Sequence, residues 1–141
     1  MNPYRNASQA YAQDSVLTAA PEKLVVMLYD GLARFLARAA AAIRAEDVAA
    51  TGNALNRAAA ILDELLSTLD PAAGEITLRL SDIYLFCKRE LLAAQLKRDP
   101  KRVEQVAKLL AELREAWATI AAAAPETTVG RRTLGAAGAT A

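Results

Sequence analysis

The side chains best suited to chemistry are few, and they exclude most catalytic sites. The chain has one cysteine, Cys87, and no histidine. Without histidine it cannot form the inward Glu-x-x-His pairs of a di-iron bundle, a zincin motif, or a Ser-His or Cys-His nucleophile pair. The sequence also lacks a glycine-rich phosphate loop. We therefore predict that the protein is not an enzyme and that it binds neither a cofactor nor a metal.

Arginine and lysine offer one remaining chemistry, the binding of anions. A helical bundle can bind a small dicarboxylate with inward basic residues, as helical chorismate mutases do, but Arg79, Arg89, Lys108 and Arg114 fall outside the apolar stripes described below. The net charge is +1, and acids interrupt the basic pairs, which argues against a nucleic-acid partner. We expect a solvated basic face, with the dicarboxylate enzyme as an alternative.

Composition favours one helical domain. Alanine, leucine, lysine, arginine and glutamate dominate the sequence, while β-branched residues are scattered. No apolar run approaches the ~20 residues that span a bilayer. Met1 to Gln13 lacks the charged and apolar regions of a signal peptide. Because a single cysteine cannot form an internal disulfide, we expect a reducing, cytoplasmic setting with no membrane insertion.

Start and stop signals predict four helices, at about residues 21–45, 47–69, 75–98 and 100–124. The signals are first-turn prolines, capping aspartates and turn residues, namely Pro21, Asp47, Asp70, Pro71, Gly74, Asp99 and Pro100. Short connections predict an all-α, antiparallel up-down-up-down four-helix bundle. Residues 1–20 would form an N-terminal arm and helix cap. Residues 125–141 lack an apolar stripe and would form a disordered C-terminal tail.

Each predicted helix carries an apolar stripe that would face the core. On the first two helices the stripes are Leu24, Leu28, Leu32, Phe35, Ala39 and Ile43, and then Val48, Leu55, Ala59, Leu62, Leu66 and Leu69. On the last two they are Ile76, Leu80, Ile83, Cys87, Leu91 and Ala94, and then Val103, Val106, Leu110, Leu113, Trp117 and Ile120.

Apolar residues exceed the needs of this core. Residues 24–29 are apolar without interruption, so they surround the whole circumference of the helix. Second stripes lie beside the core stripes of the second and third helices, at Ala58, Ile61, Leu65 and Thr68 and at Leu78, Leu85, Leu92 and Leu96. This surplus predicts exposed apolar patches that bind a partner segment. A bundle that dimerises through the extra stripes is the second alternative.

The approach to the first helix also matches a known pattern. Tyr11-x4-Val16-Leu17-Thr18-Ala19-Ala20-Pro21-x2-Leu24-x2-Met27-Leu28-Tyr29-Asp30-Gly31 resembles the N-terminal signature of the flagellin export chaperones, the FliS family. The likeness covers about residues 4–121 and includes Leu113-Arg114-Glu115-Ala116-Trp117. Where the family commonly has a serine cap, this chain has Ala20, and Thr18 is the expected substitute.

The resemblance implies a cytoplasmic chaperone that binds the disordered C-terminal segment of flagellin in an apolar groove. Binding would prevent premature polymerisation and aid flagellar type III export. It further implies contacts with the export gate and with a regulator or co-chaperone, made by a monomer or weak dimer. The candidate partner-binding residues are Tyr4, Tyr11, Val16, Leu17, Met27, Ile61, Leu65, Leu85 and Leu92. The candidate cap and signature residues are Thr18, Pro21, Tyr29, Asp30 and Gly31.

Overall fold

The protein is all-α over the part of the chain that the structure describes, residues 21–123 of a computed structural model. Within these residues there are four α-helices and no strand: α1 Pro21–Arg44, α2 Val48–Ser67, α3 Glu75–Lys97 and α4 Pro100–Ala123. A short 3-10 turn, Pro71–Ala73, precedes α3. The predicted four-helix bundle is confirmed. The arm and tail expected at residues 1–20 and 125–141 lie outside the described residues.

Short polar residues fix where the helices begin. The Asp47 carboxylate accepts a hydrogen bond from the Ala50 N–H at 3.0 Å, which caps α2. Asp99 accepts in the same way from the Lys101 N–H at 3.0 Å, at the start of α4. Between α2 and α3 the chain reverses at Gly74, whose φ of 77° suits a residue without a Cβ. These caps and turns set the length of each helix and therefore the faces that it presents.

The chain divides into two compact parts, and the larger is Leu28–Leu113. In this part the helices run antiparallel, since contacts join positions that are equally far from each turn. Ile61 on α2 approaches Gly31 on α1, with its Cδ1 3.4 Å from where a Cβ would stand. Arg44, at the end of α1, pairs with Glu104, near the start of α4, at 2.6 Å. The bundle therefore has the expected up-down-up-down order.

The core of Leu28–Leu113 is built from aliphatic side chains of all four helices. Its fully or almost fully buried members include Leu32, Leu36, Leu55, Leu62, Leu65, Tyr84, Cys87, Leu91, Val103, Val106 and Leu110. Ile120, a predicted core residue that belongs to the smaller part of the chain, is 49% exposed. Two predicted core residues of Leu28–Leu113 are also exposed, Val48 by 62% and Ile76 by 57%. Each lies in the first or last turn of its helix, where side chains extend past the ends of their neighbours. Phe35, also predicted to be in the core, is half-buried.

A pair of tyrosines joins α1 to α3 inside this core. Tyr29 and Tyr84 are both almost fully buried, and one hydroxyl donates to the other across 2.7 Å. Their rings are tilted by 54°, with centroids 6.5 Å apart. A buried hydroxyl needs a hydrogen-bond partner, so the pair favours one register between the two helices.

Removing one hydroxyl of this pair should weaken the fold. We expect Tyr84→Phe to lower the free energy of unfolding by about 1 to 2 kcal/mol, because Tyr29 loses a buried hydrogen bond. Tyr29→Phe should cost a similar amount, and the double variant should cost less than the sum of the two. Urea denaturation followed by circular dichroism measures all three values. Strictly additive losses would contradict a direct stabilising contact between the hydroxyls.

Candidate partner-binding surface

Helix α3 exposes a row of leucines on the side away from its buried residues. The row consists of Leu78, Leu85, Leu92 and Leu96, which are between 41% and 75% exposed. Separations of seven and four residues keep these side chains on one helical face, because an α-helix turns once every 3.6 residues. We call this row the α3 stripe. It confirms that the surplus of apolar residues on this helix lies at the surface.

Charged residues interrupt the α3 stripe at regular positions. Asp82 lies between Leu78 and Leu85, and Arg89 lies between Leu85 and Leu92, and both charged side chains are exposed. Neither makes an ion pair with any residue of the described part of the chain. Leucine and charge therefore alternate at spacings of three and four along this face of the helix.

The borders of the stripe differ in character. On the side of α2, the Lys88 ammonium pairs with the Asp63 carboxylate, which links α3 to α2. On the other side, the Phe86 ring is 45% exposed and widens the apolar surface. The α3 stripe therefore has a charged border on the side of α2 and an aromatic border on the other side.

The predicted binding residues within Leu28–Leu113 differ in their exposure to solvent. Leu85 and Leu92 lie on the α3 stripe and are exposed. Ile61 is half-buried where α1 and α2 meet. Leu65 is fully buried, so its assignment to an exposed groove is wrong. Because α2 contacts both α1 and α3, two adjacent faces of α2 are covered rather than one.

The remaining predicted binding residues and the predicted cap residues Thr18 and Pro21 lie elsewhere. Met27 belongs to the smaller part of the chain and is half-buried. Pro21 is the exposed first residue of α1. Five predicted residues lie outside the described residues, namely Tyr4, Tyr11, Val16, Leu17 and Thr18.

The signature residues after Met27 serve the core. Tyr29 is buried against Tyr84, and Gly31 is buried where Ile61 crosses it. Asp30 is half-buried. Sequence reasoning missed the partnership of Tyr29 with Tyr84, although a tyrosine that interrupts an apolar segment on each helix is a usable signal.

Cys87 is a core residue rather than a nucleophile. Its side chain is fully buried, and burial, together with the nearby negative charge of Glu90, raises the pKa of the thiol to about 11. The thiol therefore stays protonated near neutral pH and is a poor nucleophile.

Residues 21–123 contain neither a metal-binding cluster nor a membrane-spanning helix. No cluster of cysteine and acidic side chains there is suited to hold a metal ion. None of the four helices combines the length and the apolar character needed to cross a membrane.

Comparison with known proteins gives the family. A family model described as Flagellar protein FliS matches residues 4–124. The chain belongs to the FliS family. This confirms the resemblance carried by the motif from Tyr11 to Gly31.

Individual members of the FliS family are similar over most of their length. The protein from Salmonella typhimurium named Flagellar secretion chaperone FliS is 41% identical over 118 residues, which cover 79% of this chain and 87% of that protein. The Campylobacter jejuni protein of the same name is 38% identical, covering 79% and 88%. The Bacillus subtilis protein of that name is 34% identical, covering 82% and 84%.

The stripe and the core of α3 should respond differently to substitution. Leu85→Gln and Leu92→Gln should each change the free energy of unfolding by less than about 0.5 kcal/mol, because these side chains already face water. Leu91→Ala, one position from Leu92 but in the core, should lower it by about 2 to 5 kcal/mol. Chemical denaturation compares the three variants. A loss for Leu92→Gln as large as that for Leu91→Ala would place the stripe in the folded core.

Proposed function

We propose that this chain is a cytoplasmic export chaperone that binds the C-terminal segment of flagellin on the α3 stripe. Binding would keep flagellin from polymerising before export and deliver it to flagellar type III export. One observation carries the proposal: a member of the FliS family, whose relatives are named flagellar secretion chaperones, exposes a row of leucines that the core of Leu28–Leu113 does not use.

The dimensions of the stripe suit a client helix. From Leu78 to Leu96 the stripe extends about 27 Å, at about 1.5 Å per residue. A client helix of about five turns would cover it. Such a helix needs apolar residues at spacings of three and four to match the leucines. Opposite charges facing Asp82 and Arg89 would select one direction and one register.

Binding of a flexible segment explains how polymerisation is prevented. A segment that is disordered when free loses entropy as it folds onto the chaperone, so affinity must come from a large buried apolar surface. While its apolar face is held against the leucines, that face is unavailable to other flagellin subunits. No catalytic group is needed for this function.

Other residues extend the proposed binding surface beyond α3. Tyr4, Tyr11, Val16 and Leu17 remain proposed contacts because tyrosine and aliphatic side chains suit an interface. Met27, whose flexible thioether adapts to different partners, is a further proposed contact. The export gate and a regulator or co-chaperone remain proposed partners of the loaded chaperone.

Mixing the full chain with the C-terminal segment of its own flagellin tests the proposal. We expect a complex with one copy of each and a gain in helical circular dichroism, because the segment folds as it binds. Isothermal titration calorimetry gives the stoichiometry and the affinity. Absence of binding at micromolar concentrations would refute the proposal. Concentration-dependent dimerisation without flagellin binding would favour the dimer alternative.

A matched pair of variants locates the binding surface. The double variant Leu85→Gln/Leu92→Gln should weaken binding of the flagellin segment by about tenfold or more, since two apolar contacts are lost. Val48→Gln is the control, because Val48 is at least as exposed as Leu85 and Leu92 but lies on α2, outside the stripe. The control should bind the segment within about twofold of the unaltered protein. Equal losses in both variants would contradict the placement of the client on α3.

A further inference from the structure

A second surface, on α1 and α2, carries more arginines than acidic residues. Residues 31–45, which include the last part of α1, contain Arg34, Arg38 and Arg44 but no aspartate or glutamate. Residues 48–62 of α2 contain Arg57 as their only charged residue. Since the whole chain has a net charge of only +1, this concentration of arginines is local.

The Phe35 ring contacts two of the arginines, and a third lies beside Phe35 in the sequence. The Cζ atoms of Arg38 and of Arg57 lie 5.4 Å and 5.6 Å from the centroid of the Phe35 ring. Arg34 lies beside Phe35 in sequence, and its Nη2 is 3.7 Å from where a Cβ on Gly31 would stand. We call Arg34, Phe35, Arg38 and Arg57 the arginine patch. None of its residues belongs to the α3 stripe.

The electrostatics of the patch differ from those of other arginines in the bundle. Arg44 pairs with Glu104, Arg79 with Glu75 and Arg102 with Glu90. Within residues 21–123, Arg34 and Arg38 form no such ion pair. They are also four residues apart on one helix, a spacing at which like charges repel. An anion placed between them would relieve that repulsion.

The cation–π contact prepares Arg38 for binding. A guanidinium stacked on a ring uses its flat face and keeps the N–H groups at its edge available to a carboxylate. Stacking also restricts the side chain before binding, so less conformational entropy is lost when a ligand arrives. Exposed alanines between the arginines, at Ala33, Ala37 and Ala60, leave room for a peptide backbone to approach.

We propose that the arginine patch is a docking site for a short acidic segment of a partner protein. Carboxylates would pair with Arg34 and Arg38, and an apolar side chain would rest against the exposed part of Phe35. This site would be separate from the α3 stripe, and its existence does not depend on the identity of the client bound there.

The charge and the length of the arginine patch favour a short acidic peptide over a long polyanion. The acid-free stretch of α1 extends about 21 Å, at about 1.5 Å per residue. Asp30 precedes it, Glu46 and Asp47 follow it, and Asp63 and Glu64 end the stretch on α2. A long polyanion such as a nucleic acid would meet these acids, whereas a short acidic peptide would not. The terminal sequences of this chain carry no run of acids, with only Asp14 in residues 1–20 and only Glu126 in residues 124–141.

Fluorescence anisotropy with a labelled peptide of repeating Glu-Glu-Leu units tests the proposal on the full chain. We expect saturable binding that weakens as salt is added, and no binding of a Lys-Lys-Leu peptide. Arg34→Gln/Arg38→Gln should weaken binding of the acidic peptide by about tenfold or more. The charge-matched control Arg79→Gln/Lys108→Gln should change it by about twofold or less. All four replaced side chains are exposed, and circular dichroism verifies that both variants fold.

Three results would overturn the proposal. One is an absence of saturable binding, and a second is an equal loss of affinity in the patch variant and the control. The third is tighter binding of a single-stranded oligodeoxythymidine with the same dependence on Arg34 and Arg38, which would assign the patch to nucleic acid. Binding of the flagellin segment is measured in the same variants and should not change. If the patch variant lost affinity for both the acidic peptide and the flagellin segment, the two surfaces would not be separate. If the unaltered protein bound the acidic peptide but not flagellin, the proposed function would fail and the arginine patch would still be supported.

Discussion

Helix α3 has apolar side chains on two faces, and the core of Leu28–Leu113 covers one of them. Tyr84, Cys87 and Leu91 are buried on the inner face, while the α3 stripe remains in water on the outer face. An α-helix cannot turn both faces inward at once, so any rotation that buried the stripe would expose the Tyr84 hydroxyl and its bond to Tyr29. The core thereby fixes which leucines stay available to a partner.

The α3 stripe and the arginine patch lie on different helices and differ in chemistry. Exposed apolar residues are concentrated on α3, while arginines outnumber acidic residues from Gly31 to Leu62 on α1 and α2. An apolar stripe binds through desolvation and depends little on salt. An arginine patch binds through charge-assisted hydrogen bonds and weakens as salt screens it. We therefore propose that the two surfaces bind partners of different chemistry.

The sequence predicted the helices and the family well, because local signals determine both. Asp47, Asp99 and Gly74 act through their own backbone neighbours, so their effects can be inferred without a structure. The motif from Tyr11 to Gly31 is equally local. The exposed leucines of α3 were also predictable, since their spacing places them on the side of the helix away from the core.

Burial was harder to predict wherever it depends on neighbouring helices. Leu65 is buried because α2 contacts two helices at once, and Val48 and Ile76 are exposed because they lie in the first turns of their helices. Helical phase contains neither kind of information. The arginine patch was missed for a related reason, because Phe35 joins Arg38 of one helix to Arg57 of another. Such pairs become visible only after the helices are packed.

Leucine-methyl NMR directly tests the proposal that the outer face of α3 binds flagellin. Spectra of the methyl-labelled full chain are compared with and without an unlabelled C-terminal segment of flagellin. We expect large shifts for the methyl groups of Leu78, Leu85, Leu92 and Leu96, and small shifts for the buried Leu62 and Leu91. Saturable binding of the segment with unchanged signals from all four stripe leucines would contradict it.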